Sequence, residues 1–196
     1  FHYYLCRQLK GGGMEIFMEK KNGSITLTSL REHEKEKFIT DIQAAFKKAA
    51  MEEFGDSDDE VISKKEVEQS FHAEGAESYH IVRDGQIVGG AVIEIHPDTN
   101  RNALSLLYVN VNEHSKGIGL AAWQLIEQLH PETEVWETCT PYFEKRNIHF
   151  YVNKCGFHIT EFVNPYHKDP KLCEEQESED NRYGMDYFLY FEKRMK

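Results

Sequence analysis

The stretch Leu104 to Ile126, LSLLYVNVNEHSKGIGLAAWQLI, constrains the fold more than any other part of the chain. It reads as a strand, a short glycine-bearing loop and the start of a helix. Leu104 to Val111 is rich in Leu, Val and Tyr, the composition of a strand. Beyond the loop His114-Ser115-Lys116-Gly117-Ile118-Gly119, the residues Ile118, Ala122, Leu125, Ile126 and Leu129 recur at helical spacing and give one apolar face. A loop of this kind exposes unpaired backbone N–H groups at the positive end of the helix dipole, and Lys116 adds a full charge. That is an anion site, with phosphate as the usual guest. Glycine at 117 and 119 removes the Cβ that would hold a phosphate off the backbone. Two other phosphate motifs do not fit. Ala122 stands where a third glycine of the dinucleotide fingerprint would be needed, and no Gly-Lys-Ser/Thr occurs.

The rest of the chain reads as one α/β unit. Residues 1–13, FHYYLCRQLKGGG, look like a leader or an added extension before Met14, with a native arm as the alternative. Residues 14–196 form a single domain. Ser24–Leu30 alternates as a first strand, and Arg31–Phe54 carries Phe38, Ile39, Ile42, Ala45, Phe46 and Ala49 on one helical face. An acidic turn follows (Asp56, Asp58, Asp59, Glu60). Ser63 with Glu66 then opens a second helix as a capping box, with Val67 and Phe71 inward. Ser78–Arg83 and Gln86–His96 form a hairpin about Asp84-Gly85, and Gly89-Gly90 marks a bulge or a close approach. Glu134–Cys139 is a short strand. Thr140-Pro141 opens a helix that ends at Gly156, and Phe157–Val163 and Met185–Glu192 are the last strands. The long polar loop between them, Asn164–Gly184, is of the length that carries function or lacks order.

Leu106–Gly119 resembles motif A of the GNAT superfamily of acyl-CoA-dependent N-acetyltransferases, Gln/Arg-x-x-Gly-x-Gly/Ala, with His114 in the first place. Further on, RNIHFYVNKCGF (residues 146–157) resembles motif B, a helix that carries a Tyr and ends in Gly-Phe. The resemblance covers residues 24–192 and implies the GNAT fold. That is a mixed, mainly antiparallel sheet of about seven strands flanked by about four helices, in which strands 104–111 and 134–139 run parallel and splay apart. It implies acetyl-CoA as cosubstrate, with the pantetheine in the splay. Backbone groups of Tyr108, Val109 and Val111 would meet its amides. The N–H groups of His114, Ser115, Lys116, Gly117, Ile118 and Gly119 would hold the pyrophosphate.

In many family members a motif B Tyr protonates the leaving thiolate, and Tyr151 stands at that position. The family often has an Asn seven residues earlier; here that position is Glu144. Asn147, one helical turn before Tyr151, is therefore the expected cofactor contact. Strand 104–109 has no acidic residue for a general base. Glu94, which shares a strand face with His96, and Glu137 are the carboxylate candidates, beside His149 or a water chain.

The implied function is acetyl transfer from acetyl-CoA to a primary amine by direct attack in a ternary complex. A CoA-binding sensor or scaffold without catalysis is the alternative. The 196 residues carry a net charge of −11, which favours a small cationic acceptor and argues against nucleic acid. No apolar run approaches the ~20 residues that span a bilayer, so no membrane partner is expected. Four cysteines without a C-x-x-C pair read as reduced thiols of a cytoplasmic protein, with no metal site. A homodimer is left open.

Overall fold

The computed structural model describes residues 5–10, 13–20, 23–55, 61–113, 117–168 and 187–196, with side chains from Ile25 onward, Glu53 and Phe54 apart. The acidic turn at 56–60, loop residues His114, Ser115 and Lys116, and most of the polar loop (169–186) lie outside them. The strands are β1 (Leu5–Lys10), β2 (Gly13–Lys20), β3 (Gly23–Ser29), β4 (Ala76–Arg83), β5 (Gln86–Glu94), β6 (Arg101–Val109), β7 (Val135–Pro141), β8 (His158–Val163) and β9 (Phe188–Arg194). The helices are α1 (Lys35–Phe54), α2 (Lys64–His72), α3 (Ile118–Leu129) and α4 (Lys145–His149). A π-helical stretch, Phe150–Cys155, continues α4.

All nine strands form one sheet, ordered β1-β2-β3-β4-β5-β6-β7-β9-β8. The expected seven strands and four helices run from β3 to β9. Two more strands precede them: β1 pairs antiparallel with β2, and β2 with β3, so the sheet extends into the segment read as a leader or arm. Among the described residues β6–β7 is the parallel pair.

Local signals act where they were read. Ser63 accepts from the Glu66 N–H while Glu66 reaches back to the Ser63 N–H at 2.7 Å, which closes the capping box that starts α2. Asp84 and Gly85 both take positive φ (51° and 80°), the tight turn that a two-residue hairpin needs. Gly156 caps the π-helical stretch in the left-handed region. One boundary differs. Thr140 and Pro141 do not open a helix: β7 continues through Pro141, which pairs with Phe188, and α4 begins at Lys145. Pro141 is the last residue of its strand, where its missing N–H costs the ladder little.

The core lies on both faces. On the α3 side Trp123, Trp136, Phe157 and Phe191 are fully buried, and the two indoles meet edge to face at 5.2 Å. On the α1 side Phe38, Ile42 and Val67 pack against Val92, Leu106 and Tyr108. Two bulges set which face each strand residue meets. Val88 is skipped between the pairs Ile81↔Gly89 and Val82↔Ile87. Ser105 is skipped between Val92↔Leu106 and Ile93↔Leu104. The second bulge sends Leu104 to the α3 side but Leu106 and Tyr108 to the α1 side.

Gly90 is a close approach, as expected. A Cβ there would lie 2.2 Å from Phe38 Cε2 and 2.8 Å from Tyr108 Cε1. Gly90→Ala is therefore expected to cost about 2 kcal/mol by overpacking, read as a fall of about 4–8 °C in Tm.

His80 lies in the same row, paired across the sheet with Gly90, and is buried with neither ring nitrogen hydrogen-bonded among the described residues. Burial holds its pKa below the ordinary value, and the Glu34 carboxylate 3.5 Å away only partly opposes this. A depressed histidine pKa means that the unfolded chain takes up the proton first as pH falls. Stability is thus expected to drop as pH falls below about 6.5. Urea midpoints at pH 7 and pH 5 should show a smaller decline in His80→Asn than in the unsubstituted chain.

Candidate active site

Strands β6 and β7 stay in register over three pairs, Arg101↔Val135, Asn102↔Trp136 and Ala103↔Glu137, and then part. At the point of divergence the Thr138 hydroxyl donates to the Leu104 carbonyl at 2.8 Å. Beyond it β6 has no strand partner on this edge among the described residues. The alternation of the backbone decides which groups face the gap. Asn110 N–H donates to Val88 on β5, and the Tyr108 carbonyl also faces β5, since a Cβ on Gly89 would meet it at 2.3 Å. Val109, between them, turns its backbone toward the splay. The expectation that Tyr108 offers backbone groups to the gap is corrected here: its backbone serves the β5 ladder, and its side chain is buried in the α1-side core.

That cavity, about 710 Å³, opens at the wide end of the splay. Its walls are Ala45, Phe46 and Ala49 of α1, Leu107–Val109 of β6, Gly117–Leu120 at the start of α3, and Glu144–Asn147, His149, Phe150 and Lys154 along α4 and its continuation. Gly117 caps α3 with φ 73°, and the first turn of the helix holds no acidic residue. The positive end of its dipole therefore faces the cavity, whose lining also includes Glu113, paired with Arg83 at 3.1 Å, and Glu144. Lys145, Arg146 and Lys154 bring three cations to the α4 wall of a chain whose net charge is −11. The Arg146 guanidinium also bonds Glu52 of α1 at 3.0 Å, which ties the two walls together.

Of the expected cofactor contacts, Tyr108, Val109, Gly117, Ile118, Gly119 and Asn147 all line this cavity. Val111 lies in a 3-10 turn beyond β6, outside the lining. The cations of the α4 wall were missed. Their signal was a Lys-Arg pair at the head of the motif B helix in an otherwise acidic chain.

The catalytic candidates sit at the narrow end. Tyr151 is buried against Phe150, Phe157 and Phe191. Burial pushes its pKa up, and its contact with Thr138 opposes this. Thr138, bonded to Leu104, stands between Tyr151 and β6 at the apex of the splay. Glu94 and Glu137 flank the apex on the opposite, α1-side face, since Glu94 follows Val92 in parity and Glu137 alternates with Trp136. Glu94 accepts from Ser105, the bulge residue, at 2.6 Å, and His96 Nε2 lies 3.8 Å from its other oxygen. Glu137 is paired with Arg101, which also holds Glu192 at 2.5 Å. Neither carboxylate lines the large cavity. His149 does, with Asn153 against its Nδ1 at 3.0 Å.

Residues 31–157 match the model of the acetyltransferase (GNAT) family. The chain belongs to that family. This GNAT chain is also 48% identical over 179 residues to the uncharacterized protein YrkN of Bacillus subtilis strain 168, across 90% of its own length and 97% of that protein. Its fold is similar to that of a GNAT-family acetyltransferase from Staphylococcus aureus Mu50, with a TM-score of 0.61 at 17% identity over 88% of this chain and 99% of the other. It is also similar to the PaiA N-acetyltransferase of Thermoplasma acidophilum, solved in complex with coenzyme A, with a TM-score of 0.59 at 14% identity over 87% and 99%.

The contact with Thr138 at the apex gives Tyr151 a structural role whatever its chemistry. Tyr151→Phe is expected to lower stability by about 1 kcal/mol, the net worth of one buried bond. The measurement is a urea midpoint against the unsubstituted GNAT chain.

Proposed function

We propose that this chain transfers an acetyl group from acetyl-CoA to a primary amine, a small cationic acceptor, within a ternary complex. One observation supports the reading above the others. The glycine start of α3 and the cationic wall of α4 converge on the mouth of a gap between parallel strands. That arrangement suits a ligand with an anionic head and a narrow polar arm. Gly117, Ile118 and Gly119 hold the phosphates, with Lys145 and Lys154 adding charge, Asn147 adds a polar contact, and Val109 offers its backbone to the arm.

Bound acetyl-CoA supplies the activated thioester. The other demands fall on residues of this chain. An ammonium near pKa ~10 must lose a proton before its nitrogen can attack. Glu94, held by Ser105 at the bulge, receives that proton through water. The nitrogen then bonds the acetyl carbon, the carbon–sulfur bond breaks, and the amide nitrogen releases its remaining excess proton. The Val109 N–H steadies the negative charge on the acetyl oxygen. Tyr151, at the narrow end, donates a hydrogen bond to the departing sulfur, which leaves as thiolate and is protonated from water. Its raised pKa keeps the phenol protonated and makes it a hydrogen-bond donor rather than an acid.

A second reading, a CoA-binding protein without catalysis, has one observation on its side. The hydroxyl of Tyr151 is already engaged by Thr138, and Glu137 is already paired with Arg101.

Calorimetry with acetyl-CoA tests the binding half. Micromolar affinity is expected, and Gly117→Glu, which sets a carboxylate at the α3 start, should abolish it. No binding to the unsubstituted chain would sink both readings. Binding without release of free thiol across a panel of amines would leave the second.

A further inference from the structure

Arg146 serves two neighbourhoods at once. It lines the cavity together with Lys145 and Lys154. Its Nη1 also donates to Glu52 Oε2 at 3.0 Å, a carboxylate in the last turn of α1. That turn holds no basic residue. The Glu52 carboxylate therefore stands at the negative end of the α1 dipole, an unfavourable place, and the positive charge that relieves it comes from the opposite wall.

The pair is loosely held. Its side chains are 54% and 47% exposed, and an ion pair of that kind is weak and screened by salt. A guanidinium fork matches phosphate oxygens as well as it matches a carboxylate, and the phosphates of acetyl-CoA together carry more charge than one carboxylate. The start of α3, with Gly117 as its cap, draws an anionic head into the same cavity. We infer that Glu52 is an autoinhibitory residue of the cosubstrate site: it competes with the phosphates of acetyl-CoA for Arg146. The inference rests on the acetyltransferase reading and adds to it a contact that weakens cosubstrate binding. No covalent bond changes and no proton moves; one ion pair is exchanged for another. Glu52 belongs to the same helix as Ala45, Phe46 and Ala49 of the cavity wall, so the exchange also undoes the tie between the α1 and α4 walls.

Calorimetry with acetyl-CoA at low ionic strength tests this in four forms of the full chain: unsubstituted, Glu52→Gln, Arg146→Gln and the double variant. Glu52→Gln should tighten binding roughly 2- to 5-fold, the worth of one exposed ion pair. A damaged fold does not produce a gain in affinity, so this result reads the competition directly. Arg146→Gln should weaken binding roughly 10-fold, the loss of one charge-assisted bond. The double variant should bind like Arg146→Gln, because competition for a guanidinium needs the guanidinium. A gain of equal size with and without Arg146 would show plain repulsion between Glu52 and the phosphates and would overturn the inference. Weaker binding in Glu52→Gln would make Glu52 a residue that positions Arg146 for the ligand, and would overturn it too, as would no change. If acetyl-CoA binds and the gain is absent, the inference falls alone; if acetyl-CoA binds none of the four forms, the acetyltransferase reading falls with it.

Discussion

Parallel strands that lie side by side normally keep their ladder, because every buried N–H and C=O needs a partner. Here β6 and β7 abandon it after Ala103↔Glu137. The rest of the site follows from that parting. The Ser105 bulge bends β6 just past the last pair. Thr138 closes the apex with a side-chain bond to the Leu104 carbonyl in place of a backbone one. Farther along, the backbone of Val109 turns toward the gap, and the cavity opens at its wide end.

The helices that flank the gap are placed by packing. The Phe150 ring lies near the start of α3, where a Cβ on Gly119 would meet it at an ordinary contact distance of 3.5 Å. On the other face Phe38 lies directly on Gly90, which brings α1 down onto Tyr108. α1 and α4 thus reach the cavity from opposite faces of one sheet, and the Arg146–Glu52 pair joins them across its mouth. The pair is exposed on both sides and contributes little to stability.

Features that depend on a few adjacent residues were legible in the sequence. The Ser63–Glu66 box, the Asp84-Gly85 turn and the Gly156 cap each act through bonds or dihedrals within a few positions. The strand–loop–helix around Gly117 was legible for the same reason. What was not legible depends on pairing between distant segments. Pro141 reads as a helix opener until Phe188 is known to lie opposite it. The direction of the Tyr108 backbone follows from its register with Gly90, eighteen positions away in sequence, and from the Ser105 bulge, which no local pattern announces. The three cations of the α4 wall share one cavity because the π-helical stretch follows α4 directly, and spacing that assumes a regular helix does not bring Lys154 into line with Lys145.

Two phenols, Tyr108 and Tyr151, are buried beside the gap. Burial raises both pKa values. Handing a proton to a thiolate, with an ordinary thiol pKa near 8.5, is then steeply uphill for either of them. Both phenols therefore stay neutral. Tyr151 lies against Thr138, and Tyr108 sits in the α1-side core with its hydroxyl enclosed. A proton acceptor must be a different kind of group, and Glu94, held by Ser105 at 2.6 Å on the α1-side face of the apex, is a carboxylate in that neighbourhood.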